Sequence, residues 1–254
     1  HSNTKNLIIS LNEIIIYHGE NRPIDFSMLN PVGLHTEVEF NNRQNFQGNK
    51  QNAVWQISMD YFCLNRLRLS FNFLIDELTI DEEELKKDET NLTAFSSRLS
   101  YHIFSFKDFK INLSHSIEYV GTYTYKHIYG MNNFVSRGHL LMNQNGSDFI
   151  KNKITLECFD LLKTRMKFSY SDIIQGENNI FIDPYSSNEN IYELPFPSGK
   201  KNKAQSISFL FDYWFNKTTN FNINYEYYLE EHSQKELRFT VFYIITYLCI
   251  TYNT

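Results

Sequence analysis

The chain has 254 residues, a net charge of −5 and 16% aromatic residues. An acidic balance gives nucleic-acid binding no electrostatic support. Cys63, Cys158 and Cys249 lie far apart without CxxC spacing, which argues against a zinc site and a disulfide framework. Mean hydropathy is −0.43, and the longest apolar run, Val241 to Ile250, is interrupted by Thr246. That run is too short for the ~20 residues of a helical membrane span, whereas strand-built membrane proteins escape such a scan.

Alternation of period two predicts ten strands, at 6–18, 53–63, 65–80, 93–106, 109–125, 148–161, 164–176, 204–216, 219–230 and 236–250. Trp55, Ile57, Met59 and Tyr61 alternate with Gln56, Ser58 and Asp60. The clearest case follows: Leu67, Leu69, Phe71, Phe73 and Ile75 take one face, and Arg66, Arg68, Ser70, Asn72 and Asp76 the other, with Leu74 the one apolar intruder. Ile111, Leu113, Ile117 and Tyr119 share a face that His115 breaks. Met166, Phe168 and Tyr170 repeat the pattern, as do Ile207, Phe209, Phe211, Tyr213 and Phe215, then Phe221, Ile223, Tyr225, Tyr227 and Leu229. These strands are about twice the ~5–6 residues usual in globular proteins. They reach the ~9–11 residues that a tilted strand needs to cross a bilayer.

Short and long connections strictly alternate. Cys63-Leu64-Asn65, Lys107-Asp108, Leu162-Lys163 and Lys217-Thr218 are tight, while 19–52, 81–92, 126–147 and 177–203 are long and polar. In a meander, all short turns then share one end. That is the layout of an outer-membrane barrel, with short periplasmic turns and long external loops. The fold expected is all-β: an antiparallel up-and-down transmembrane β-barrel of about ten strands, forming part of a larger barrel. Residues 1–254 are read as one barrel domain. A barrel must be exported, and His1-Ser2-Asn3-Thr4 leads straight into a strand. The expectation is therefore a removed leader or the C-terminal part of a longer protein. Leu67, Phe71, Phe73, Phe209, Phe211, Ile223 and Tyr225 are expected on the outside of the sheet.

Arg66, Arg68, Arg98, Lys110, Lys153, Arg165 and Lys167 fall on the inward face near the short turns, and Asp76, Glu118 and Glu230 nearer the long loops. Such a lumen either guides anions or braces itself with a charge network, and the second is favoured. Lys and Arg are kept off the lipid face by a cost of ~2–4 kcal/mol at the midplane.

Gly19-Glu20-Asn21-Arg22, followed by Pro23 and Asp25, is a loop whose guanidinium could hold a sugar carboxylate bidentately, or could pair with Glu20 or Asp25 to brace the loop. One or two helical turns are expected over Pro23 to Asn30. Asp81-Glu82-Glu83-Glu84 with Asp88 and Glu89 could bind a divalent cation but has no Asx-Gly loop of the EF-hand type, and reads instead as a solvated acidic loop. His18, His35, His127 and His139 lack HExxH spacing, and GxSxG, P-loop and GxGxxG motifs are not found. No catalytic residue, metal site or cofactor is expected.

Several loop motifs, in order, resemble the capsule-assembly Wzi family of outer-membrane proteins. They are Gly19-Glu20-Asn21-Arg22 after Ile15-Ile16-Tyr17-His18, then Met28-Leu29-Asn30-Pro31; Phe73-Leu74-Ile75-Asp76-Glu77 before the acidic loop; and Tyr123-Thr124-Tyr125-Lys126-His127, Asn132-Asn133, Gly138-His139-Leu140 and Gly146-Ser147-Asp148. The resemblance covers most of residues 10–175 and implies the C-terminal half or so of a large barrel that helps to attach capsular polysaccharide. The chain departs from that pattern over Phe239 to Thr254, where clean alternation is lost.

The function expected is a non-enzymatic outer-membrane barrel involved in attachment or assembly of surface polysaccharide. Its partners would be outer-membrane lipid, the polysaccharide and the barrel-insertion machinery. Asn21, Arg22, Tyr125, His127, Asn132 and Tyr185 are the candidate glycan-binding residues, because planar polar groups and aromatic faces suit sugars. The alternatives are a pore for small solutes, a soluble sandwich or lipocalin-type barrel with its apolar face inward, and an outer-membrane enzyme.

Overall fold

The computed structural model describes residues 2–3, 6–17, 51–76, 92–126, 133–137, 139–160, 163–178, 180–181, 195–216, 219–230 and 236–245. The strands are β1 (Ser2–Asn3), β2 (Leu7–Tyr17), β3 (Gln51–Leu64), β4 (Leu67–Ile75), β5 (Thr93–Phe106), β6 (Phe109–Val120), β7 (Val135–Ser136), β8 (His139–Leu140), β9 (Phe149–Asp160), β10 (Thr164–Gln175), β11 (Asn202–Trp214), β12 (Thr219–Glu230) and β13 (Glu236–Ile245). Eleven of them form one antiparallel sheet in the order β1-β2-β3-β4-β5-β6-β9-β10-β11-β12-β13, and β7 and β8 form a small separate hairpin. Neighbours in sequence are neighbours in the sheet, as a meander requires.

The ten long strands are those that alternation predicts. Three differences have physical causes. The strand expected over 65–80 starts only at Leu67, because Asn65 and Arg66 make the turn and a bulge at Phe62/Leu64 leads into it. The strand expected to reach 125 stops at Val120, and residues 122–125 turn instead. The connection 126–147 carries the β7–β8 hairpin. At the far end, β13 pairs with β12 from Tyr228↔Glu236 to Thr219↔Ile245, despite its poorer alternation. Among the described residues no pairing joins β13 to β1 or β2, so closure into a barrel is not seen there.

The two faces of the sheet differ in chemistry. Leu7, Tyr61, Leu69, Leu99, His115, Ile154, Tyr170 and Ile207 follow one another in register across eight strands. They lie on a face where large apolar side chains are open: Ile154 is 49% exposed and Phe168 48%. None of the seven side chains expected outside is buried, and none enters the core cluster. The substantial contacts between strands run only between hydrogen-bonded neighbours, so no second sheet covers this face among the described residues. A sandwich or lipocalin would bury these side chains.

The apolar band also runs obliquely. On β3 it is Trp55, Ile57, Met59 and Tyr61; on β11 it is Ile207, Phe209, Phe211 and Tyr213. Tyr61, the last residue of the first set, is level with Ile207, the first of the other. The band therefore slides by six residues over six steps across the sheet. Of the positions this slide passes on β10 and β11, Asp172, Lys203 and Gln205 are polar, and Ile174, level with Lys203, is apolar. With a rise of ~3.3 Å per residue and a strand spacing of ~4.8 Å, the band makes an angle of roughly 35° with the hydrogen-bonding direction. Rings gather at both ends of it. Phe95 stacks on Tyr119 at 5.3 Å, and Phe196 leans on Tyr119 at 4.4 Å. At the short-turn end, Phe104 stacks on Phe106 and Tyr213 meets Phe215 edge-on.

Candidate functional site

The opposite face is polar and concave. A single groove of about 840 Å³ is lined from Asp60 on β3 to Lys167 on β10, which only a curved sheet allows. Alternation alone puts these side chains here, and the cross-strand registers then place them beside one another. Arg68 pairs with Asp60 at 2.8 Å, and Ser70 donates to the same Asp60 oxygen. Arg165 pairs with Glu157 at 2.6 Å. Hydroxyl and amide pairs fill the spaces: Gln56 to Asn72, Asn72 to Ser96, Thr155 with Ser169 and Ser171 with Ser206. His102 Nδ1 lies 2.8 Å from Asn112 Oδ1.

Five of the seven cations expected inside line this groove: Arg66, Arg68, Arg98, Lys153 and Lys167. Asp60 and Glu157, the acids that hold the two arginines, were not among the inward acids expected. Their parity gave the signal, since each falls on the polar side of its strand. Arg98 donates to Ser114 at 3.2 Å. Asn143 donates to Glu118 at 3.2 Å, bringing the β6–β9 connection onto the groove wall.

At the long-loop end the groove is covered. Leu74, Ala94, Val120 and Phe149 form one row across β4, β5, β6 and β9, on the polar side of the sheet. All four are buried, packed with Val54, Tyr125, Phe134 and Ile180. The connection folds inward over them because a row of apolar side chains facing a polar groove needs cover. Asp148 holds the cover in place. It is fully buried and sits at φ 64, which a short polar side chain tolerates better than most. Its Oδ1 accepts from Thr122 Oγ1 and Ser198 N, both at 2.9 Å; its Oδ2 accepts from Ser198 Oγ at 2.5 Å and Asn178 N at 3.1 Å. Lys126 Nζ donates to Asn178 Oδ1, and Asn133 Nδ2 to the Ile180 carbonyl at 2.9 Å.

Of the candidate glycan residues, Tyr125 is in this cover and not on its surface. Its ring is 6% exposed and tilts against Phe134 at 5.9 Å, and its backbone N–H donates to Asp76 Oδ2. The expectation of an open aromatic face at Tyr125 is corrected on that ground: the apolar row beneath it takes the ring inward. Burial, then the charges of Asp76 and Glu118, push its phenol well above the usual tyrosine range. Asn21, Arg22, His127, Asn132 and Tyr185 lie outside the described residues, as do the helical turns expected over 23–30 and the acidic loop. No family model matches the chain, and no curated protein or solved structure matches it significantly.

Proposed function

We propose that this chain is the wall of a non-enzymatic outer-membrane β-barrel that acts in the attachment or assembly of surface polysaccharide. The oblique apolar band carries the membrane half of this reading. A bilayer asks for a level apolar belt on the outer face. A band inclined by roughly 35° to the hydrogen-bonding direction becomes level when the strands tilt by that amount, close to the ~35–45° of transmembrane barrels. Asp172, Lys203 and Gln205 then leave the belt toward the head groups. Folding would pass through the barrel-insertion machinery, and the closing partners of β1 and β13 lie beyond the pairing described above.

The polysaccharide half rests on the ordered loop motifs that resemble the Wzi family and on the gathering of long connections at one end. Arg22 and Asn21, with His127, Asn132 and Tyr185, are its candidate contacts. A pore for small solutes is the second reading, favoured by the polar groove. The buried cover held by Asp148 weighs against it, because it sits over the groove's long-loop end.

The test is deletion of the chain from its parent cells, followed by measurement of cell-bound and released polysaccharide. A rise in the released fraction is expected, with rescue by the natural chain and poor rescue by an Arg22→Ala, His127→Ala variant that still assembles. Unchanged retention would discard the polysaccharide role. Solute conductance in planar bilayers would then support the pore.

A further inference from the structure

We infer that the polar groove binds an acidic, hydroxyl-rich chain of the kind an oligouronate presents, held by Arg98, Lys153 and Lys167. This rests on the barrel reading above, in which the groove is lumen. The cations of the groove divide into two sets. Arg68 has its own carboxylate at 2.8 Å, and so, beside the groove, does Arg165 at 2.6 Å. Arg66, in the turn between β3 and β4, and Arg98, Lys153 and Lys167 on the strands have no ion-pair partner among the described residues. Lys151 and Lys153 share one face of β9, and Lys167 stands on the same face of β10. The acids nearest in register are already engaged: Glu118, opposite Lys151, by Asn143, and Glu157, opposite Lys167, by Arg165. A bracing network would pair each cation as Arg68 is paired. Like charges held together are instead relieved by an anion.

The spacing indicates what kind of anion. Arg98, Ser116, Lys153 and Ser171 are successive partners across β5, β6, β9 and β10, so cation and hydroxyl alternate along one row. The two cations stand two strands apart, roughly 10 Å between backbones. Charges at intervals, with hydroxyls between, suit a chain that repeats carboxylate and hydroxyl groups better than one small anion. Ser96 and Ser100 extend the hydroxyl lining, and their small side chains leave room. The volume of about 840 Å³ falls within the ~300–1,000 Å³ of ligand sites.

The experiment uses the full chain assembled in detergent micelles and titrated calorimetrically with hexagalacturonate, its full methyl ester and inorganic pyrophosphate. The acid should bind, with the ester and pyrophosphate weaker by roughly tenfold or more, and raised salt should weaken the acid alone among the two sugars. The Arg98→Gln, Lys153→Gln, Lys167→Gln variant should lose roughly ten- to hundredfold, the scale of one or two charge-assisted hydrogen bonds. Equal binding of acid and ester would overturn the inference, as would undiminished binding by an assembled triple variant. If the triple variant does not assemble, Lys153→Gln alone and the acid–ester comparison on the natural chain carry the test. Liposome insertion is measured on the same sample. Protein that inserts but does not prefer the acid overturns this inference alone; protein that does not insert overturns the barrel reading with it.

Discussion

Asp148 takes two hydrogen bonds from Ser198, one from its backbone N–H and one from its hydroxyl, although fifty residues separate the two. Thr122 and Asn178 bond the same carboxylate. One side chain thus fastens the ends of β6 and β10 and the approach to β11 into a single cover over the groove.

Removing that carboxylate strands several buried donors at once. Asp148→Ala should cost about 3–5 kcal/mol, because each buried donor left without an acceptor costs about 1–3 kcal/mol. Gly176→Ala should mimic it with residue 148 left as aspartate, because a Cβ there would overlap the Asp148 carboxylate and lie 2.6 Å from Ser198 N. Both are checked by the urea midpoint of the assembled chain in micelles. A shift under about 0.5 kcal/mol for Asp148→Ala would show that the cover is not fastened there.

Tyr125 gives the cover a pH dependence. Its phenol binds its proton more tightly when folded, so its contribution is complete below the unfolded pKa of ~10 and declines as pH rises above that value. Stability measured from pH 8 to 11.5 should be flat at first and then fall. Tyr125→Phe should remove part of that fall. An identical alkaline slope in the variant would locate the titration elsewhere.

Topology can be read on intact cells. Epitope tags near Lys50, Asp88 and Ser187, and between β7 and β8 at Arg137, should be open to antibody, while tags at Asn65, Asp108 or Lys217 should not. Arg137 replaces the neighbourhood of Asn143 as the site in its loop, because Arg137 is exposed and Asn143 is tied to Glu118. Mixed accessibility among the first four would reject a single external end.

Leu74 marks the boundary of what the sequence discloses. Alternation finds its strand because the two faces meet different surroundings, and that contrast is written locally, residue by residue. The same reading leaves Leu74 as an intruder. Its reason is the row Leu74, Ala94, Val120 and Phe149, which exists only once three strand registers are known. The Asp148 network is similarly hidden: Gly146-Ser147-Asp148 stands out as a motif, but its donors come from Thr122, Asn178 and Ser198. Charge pairs were half legible. Inward parity identifies Arg68 and Arg165, and their partners Asp60 and Glu157 sit eight residues away across the hairpin turns. Tyr125 failed as a surface residue because a loop's polarity says nothing of which way it folds.

The central claim is that lipid meets one face of this sheet and water the other, and β9 tests it most directly. Single spin labels placed by cysteine substitution at positions 153 to 157, with the native cysteines replaced by serine, would be measured in lipid vesicles for collision with oxygen and with a water-soluble nickel chelate. The account predicts strict alternation: oxygen-rich at Ile154 and Leu156, chelate-rich at Lys153, Thr155 and Glu157. Uniform chelate accessibility, or low accessibility to both reagents at Ile154 and Leu156, would contradict it.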